Sequence, residues 1–176
     1  MKRVMIIGQP GSGKSTLAQR LGDLTGLPVI HIDRIHWKPG WVERAQTEKH
    51  AMAHEVHMQD RWIFEGNMSS TYAERLARAD TCIWLDLPLL LRCWRVAKRT
   101  ALNYGQTRPD LADDCPEQFS LEFWHFIWTT RRTGRMGGLK IMADPPVHLT
   151  VHHLRSCRDV RMFVDTIAMG APFKTA

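Results

Sequence analysis

The segment Gly8-Gln9-Pro10-Gly11-Ser12-Gly13-Lys14-Ser15, continued by Thr16, stands directly behind the apolar run Val4-Met5-Ile6-Ile7. A strand that turns through three glycines into a Lys-Ser-Thr helix start restricts this part of the chain to a strand, loop and helix unit. Glycine tolerates backbone angles that a side chain forbids, so successive N–H groups in the loop can turn inward toward one cluster of anionic oxygens. The spacing is G-x-x-x-x-G-K-[ST], and it gives each residue a job. Gly8, Gly11, Ser12, Gly13, Lys14, Ser15 and Thr16 are expected to hold a polyphosphate. Lys14 would reach the β- and γ-phosphates as a point charge, the Ser15 hydroxyl would be a ligand for Mg²⁺, and the positive end of the following helix would add to both.

Further strand signals recur at Pro28 to Ile32, Trp62 to Glu65, Thr81 to Leu85 and Val147 to Val151, with helical stretches between them. Alternation of this kind predicts βαβ units and a parallel sheet, and strands that are apolar almost throughout predict cover on both faces. The last strand alternates through His148, Thr150 and His152, which suits a partly exposed edge. The first helix is expected from Ser15 to about Leu24, with Leu17, Leu21 and Leu24 on one stripe and Gly26 as its stop. Thr71-Tyr72-Ala73-Glu74 has the form of a capping box, and Pro88 suits the first turn of a helix reaching about Thr100.

Two segments interrupt the alternation. Residues 34–60 read as a flap carrying Trp37-Lys38-Pro39-Gly40-Trp41, and residues 101–140 as a helical lid, both within one domain of 176 residues. Insertions behind the carboxyl ends of parallel strands lie at the ligand crevice. Asp33, at the end of the second strand, is therefore the leading candidate to meet an acceptor. A carboxylate there would orient a hydroxyl and accept its proton, whereas an acceptor phosphate needs no base. Glu65, at the end of the third strand, is placed to hold a magnesium-bound water or the acceptor. Trp37, Asn67 and Arg75 complete the expected acceptor wall. Asp86, behind four apolar residues, reads either as a Walker B-type metal acid or as an acid at the start of the Pro88 helix. Arg92, Arg95 and Arg99 share one helical face, and Arg131, Arg132 and Arg135 follow the aromatic helix of the lid as candidates to stabilise a transferring phosphoryl group. His50, His54 and His57 also share a face and are read as a solvated polar surface, and the lid aromatics Phe119, Phe123 and Phe126 as the core of the lid.

The formal charge of +6 favours anionic partners without choosing between nucleotides and nucleic acid. No apolar run approaches the roughly 18 residues of a membrane span, and no cleavage-site pattern follows Met1-Lys2-Arg3, so a cytoplasmic protein is expected. The four cysteines lack paired spacing, which argues against a structural zinc or a disulfide framework.

The phosphate loop, His31-Ile32-Asp33 with the Trp-Lys-Pro-Gly-Trp element, Glu65-Gly66-Asn67, Leu85-Asp86-Leu87-Pro88 and Thr107-Arg108-Pro109-Asp110 together resemble the small P-loop kinases of the adenylate kinase-like group, and most closely bacterial topology-modulation proteins. The resemblance covers nearly the whole chain. It implies a three-layer α/β/α P-loop fold of the nucleoside-monophosphate-kinase kind, with a five-stranded parallel sheet and a helical lid. It further implies ATP with Mg²⁺, a small-molecule phosphoryl acceptor, and contacts from Arg95 and Arg99 to the bound ATP. Glu65 departs from the Asp usual at that strand end. A link to DNA topology would make nucleic acid a partner, yet the chain carries no helix-turn-helix, zinc or RNA-recognition motif.

Overall fold

The structure is a computed structural model and describes residues 1–170. Five strands form one parallel sheet: β1 (Arg3–Gly8), β2 (Val29–His31), β5 (Trp62–Glu65), β6 (Thr81–Leu85) and β7 (Thr150–Leu154), in the order β2-β5-β1-β6-β7. The phosphate-binding strand is thus central, flanked by β5 and β6 in parallel register.

The apolar strands split by their two-residue period into two cores. Val4, Ile6, Ile63, Ile83 and Leu85 face α1 (Lys14–Thr25) and α8 (Cys157–Ala168) through Leu17, Leu21 and Phe163. Met5, Ile7, Trp62, Phe64, Cys82 and Trp84 face the other way. They meet Ile32 and Ile35 of α2 (Ile32–His36), Ala53 and Val56 of α3 (Gln46–His57), Tyr72 and Leu76 of α4 (Tyr72–Arg78), and Ile141 of α7 (Met136–Ala143). Burial on both faces is why these strands alternate in destination but not in polarity. The expected three-layer fold is the one observed.

The flap consists of α2, a two-stranded hairpin of β3 (Trp37–Lys38) and β4 (Val42–Glu43), and α3. The lid follows α5 (Leu89–Leu102), passes through an irregular stretch, and forms α6 (Leu121–Thr129) and then α7.

Several local expectations give way to tertiary contacts. Leu24 is 43% exposed, and α1 covers the sheet with Leu17, Ala18 and Leu21. Thr71 caps no helix. Its hydroxyl donates to Met68 O and accepts from Arg75, while Glu74 turns to His54 and His57. A capping box forms instead at Ser156 and Asp159 at the head of α8. The last strand begins at Thr150, and Val147 ahead of it is fully exposed. His57 is wholly buried against Trp62 and Phe64, so the histidine row is not a uniformly solvated face. The lid aromatics Phe119, Phe126 and Trp128 are more than half or about half exposed, and only Ile127 of α6 is buried, since α6 stands off the sheet.

Candidate active site

The loop from Gly8 into α1 takes the conformation its glycines permit. Gly11 has φ 75°, and a Cβ placed on it would lie 2.4 Å from Arg92 O, so loop and α5 meet backbone to backbone. Gly13 has φ 92° and leads into α1, whose first turn has neither a side-chain cap nor an acidic residue. An uncapped helix start leaves N–H groups and the positive end of the dipole directed at the loop. Ser12 Oγ is buried in the loop without a hydrogen-bond partner. An unpartnered buried hydroxyl, an uncapped helix and a lysine beside them form a set that a polyphosphate would satisfy.

Ser15 Oγ donates to Glu65 Oε1 at 3.0 Å. His31 Nδ1 lies 2.7 Å from the same carboxylate oxygen. Both contacts follow from topology, since β2 and β5 pair with His31 opposite Glu65, and β1 delivers the loop on the other side of β5. A hydroxyl and a buried carboxylate, both hard oxygen donors, suit Mg²⁺, which takes few protein ligands and completes its shell with water and phosphate oxygens. Glu65, one methylene longer than Asp, reaches Ser15 and is held by His31.

Asp33 sits in the first turn of α2, at the same end of the sheet. Its side chain is exposed to solvent. Its pKa is raised, first by removal from bulk water and then by Glu65 and Asp110, against the opposing pull of Lys14 and Arg108. Lys14 and Glu65 thus both lie within electrostatic range of Asp33. Arg108 joins them, and so does His31 next to Glu65. Thr107-Arg108-Pro109-Asp110 was legible as a motif, but its approach to Asp33 depends on how the lid loop folds back.

That loop is stitched to the flap. Gly40 N–H donates to Asp114 O, Trp41 Nε1 to Pro116 O and Arg34 Nε to Leu111 O, and Cys115 Sγ accepts from Trp41 N–H. Trp41 and Asp114 both have positive φ, 60° and 51°, at this clasp. Such a conformation in a bulky residue stores strain of about 1–3 kcal/mol, held by the surrounding contacts. Trp37 is half-buried and packs edge-on against Trp41, with ring centres 5.4 Å apart.

Other predicted contacts resolve differently. Arg75 is completely buried. Its guanidinium donates to Gly66 O at 2.9 Å and to Thr71 Oγ1 at 3.0 Å, and lies 4.4 Å over the Phe64 ring, with its pKa pushed down to about 10 by burial. It supports the loop behind Glu65 and does not face the cleft. Asn67 likewise turns to the protein, accepting from Gly8 N–H and donating to Gly8 O at 2.7 Å. Arg95 donates to Ser12 O at 3.0 Å, beside the phosphate loop. Arg99 is paired with Glu117, which also takes Arg108 and Thr100, at the base of the lid. Asp86 neither opens the helix nor meets the loop: its carboxylate receives Arg135 at 2.8 and 2.7 Å and His153 at 3.1 Å. Arg131 lies 4.3 Å over the Trp128 ring and lines, with Gln9 of the phosphate loop, Asp86 and Arg155, a cavity of about 560 Å³, while Arg132 is exposed.

This fold, with a phosphate loop on the central strand and a lid, is that of the P-loop small-molecule kinases. It is similar to shikimate kinase from Acinetobacter baumannii in complex with shikimate, with a TM-score of 0.56 and 14% identity over 95% of this chain and 90% of that one. It is also similar to a gluconokinase from Sinorhizobium meliloti 1021 (TM-score 0.51, 14% identity, 96% and 90% covered) and to deoxyadenosine kinase from M. mycoides with bound dCTP (0.51, 13%, 94% and 98%). Residues 4–125 match the family described as AAA domain, and the chain belongs to it. No curated protein matches in sequence.

Proposed function

We propose that the protein is an ATP-dependent phosphotransferase that moves the γ-phosphoryl group of MgATP to a small acceptor, with the whole chain acting as one kinase-like domain closed by its flap and lid. The observation that carries this reading is the convergence of Lys14 and the Ser15–Glu65 pair with Asp33 at one edge of the sheet. The loop amides and Lys14 hold and neutralise the β- and γ-phosphates. Arg95, next to Ser12, adds a cation to the nucleotide side, and Arg108 adds one from the lid. Ser15 and Glu65 would hold Mg²⁺, which supplies charge neutralisation across the phosphates when bound. The Asp33 carboxylate orients the acceptor. Such a reaction is almost entirely positioning and electrostatic stabilisation, which the closed flap and lid favour by limiting water. A cytoplasmic setting belongs to this reading as part of the proposal; no helix among the described residues is long and apolar enough to cross a membrane.

The test is direct. A saturating nucleotide at about 100 times Kd adds roughly 2.7 kcal/mol of stability, so MgATP should raise the melting temperature by several degrees and Lys14→Ala should remove both this shift and ADP formation. Unchanged melting with MgATP would sink the proposal.

The net charge of +6 and the resemblance to topology-modulation proteins support a second reading, nucleotide-dependent DNA binding. It is the weaker one, because Arg92, Arg99, Arg108 and Arg135 are tied to carbonyls or carboxylates. Binding that involves Z phosphates would weaken with salt at a log-log slope of about −0.9Z. A flat salt response removes this reading.

A further inference from the structure

We infer that the protein pairs with a second copy of itself, the two α5 helices packing antiparallel across a two-fold axis.

The polarity of α5 is inverted for a surface helix. Its inner face carries arginines: Arg92 is buried, with Nε–H on Leu87 O at 3.1 Å and Nη1–H on Pro10 O at 3.3 Å, and Arg95 donates to Ser12 O. Arg99 is half-buried and pairs with Glu117. The outer face is apolar. Leu90 is 84% and Trp94 65% exposed, and Ala97 and Ala101 on the same side are exposed as well. A surface helix ordinarily turns its apolar stripe to the core and its charges to water. Here the carbonyls of the phosphate loop draw the arginines in, and the stripe is left facing out.

Leu90, Trp94, Ala97 and Ala101 follow one another at intervals of four, three and four residues, the spacing of a helix–helix seam. The order of sizes selects the occupant, because the two large residues come first and the two small ones last. A second α5 laid antiparallel, with the two-fold between Trp94 and Ala97, sets Leu90 against Ala101 and Trp94 against Ala97 on both sides of the axis. Every large side chain then faces a small one, as close packing demands. A parallel pair would oppose tryptophan to tryptophan and alanine to alanine, overfilling one layer and leaving a gap in the next. The seam is thus complementary to itself, which an isologous interface requires. Lys98, the charged residue on this face, comes beside the Trp94 ring of the second copy, where a cation–π contact accommodates it.

The apolar surface continues past the helix. Leu102 and Tyr104 are exposed at its end, and the bridge between Tyr104 and Glu117 brings the chain leading to Phe119 and Leu121 alongside. Leu90, Trp94, Leu102, Tyr104, Phe119 and Leu121 are each at least 61% exposed. With the two alanines they offer on the order of 800 Å², about the share one partner gives to a stable interface. Monomers seldom leave an apolar patch of that size to water.

Sedimentation of the full chain without nucleotide tests the pairing independently of the phosphotransferase reading. The species expected at micromolar concentration has twice the 20.3 kDa mass of one chain. An anchoring interface tryptophan typically matters by about tenfold or more, and a two-fold repeats it, so Trp94→Glu should weaken pairing by about 100-fold. Trp128→Glu, at a tryptophan 59% exposed on α6, should leave it unchanged. Ala97→Trp should also disperse the pair, by setting tryptophan against tryptophan. Combining Trp94→Ala with Ala97→Trp should restore it, since each layer again holds one large and one small residue. All these positions are exposed, so the variants should keep the fold, which circular dichroism checks. A 20.3 kDa species at every concentration overturns the inference, and so does a dimer that survives Trp94→Glu. A double variant that stays monomeric overturns the antiparallel pairing.

Discussion

Glu65 illustrates how one methylene changes a site. The longer side chain extends to Ser15 and needs a partner to hold it, and His31, its neighbour across the β2–β5 pair, supplies a contact at 2.7 Å. Residues that orient a metal-holding carboxylate typically matter 10- to 100-fold for metal affinity. His31→Ala should therefore raise the Mg²⁺ concentration needed for half-maximal nucleotide-dependent stabilisation by about tenfold, with His31→Gln intermediate. Equal Mg²⁺ titrations in calorimetry would refute the role. Asp33 yields a second prediction. Its folded-state pKa lies above the ordinary 3.8, so the folded chain holds the proton more tightly than the unfolded one. The associated stability is present below the unfolded value and is lost as pH rises through the folded value. Asp33→Asn should consequently melt higher than the unaltered protein at pH 7, with the gap closing toward pH 3.8. A lower melting temperature at neutral pH would contradict it.

At the scale of elements, the lid is fastened at two places. Near the flap, the Trp41–Pro116 and Gly40–Asp114 bonds close the clasp between flap and lid loop. Near β7, Asp86 holds Arg135, and Gln9 of the phosphate loop donates to Thr130 O at 2.8 Å. The second fastening links α7 and the turn before it to the loop that would carry the nucleotide, so lid position and loop geometry are coupled. The Asp86–Arg135 pair is bidentate but partly exposed, and exposed pairs contribute only about 0–1 kcal/mol. Asp86→Asn should thus change global stability little while speeding amide hydrogen exchange through residues 133–143. Unaltered exchange there would remove the lid-fastening role.

For the whole molecule, buried imidazoles contribute to the loss of stability just below neutrality. His57, enclosed by Trp62 and Phe64 and beside Glu74, is kept below 6.5 by burial, which outweighs the pull of Glu74, and His152 is lowered in the same way. The folded chain stays neutral at these positions where the unfolded chain would protonate. Stability is therefore complete above pH 6.5 and is lost as pH falls through it. The urea midpoint should drop between pH 7.5 and 5.5, and His57→Leu should flatten that drop. An equal drop in the variant would mean that other groups carry the effect.

The phosphate loop, the alternating strands and helices, and the two insertions at the ligand edge were determined by consecutive residues, because backbone freedom at glycine and the periods of apolar burial are local properties. Tertiary structure alone decided which polar side chains face the cleft. Arg75, Asn67 and Asp86 carry the same local signals as residues of a site, yet their partners are Gly66, Gly8 and Arg135. His31 and Glu65 meet across 34 residues of chain, and Glu65 and Ser15 across 50. Contacts at such separations are set by sheet order and by how the lid folds back, and a buried charge takes whichever partner that packing leaves within reach.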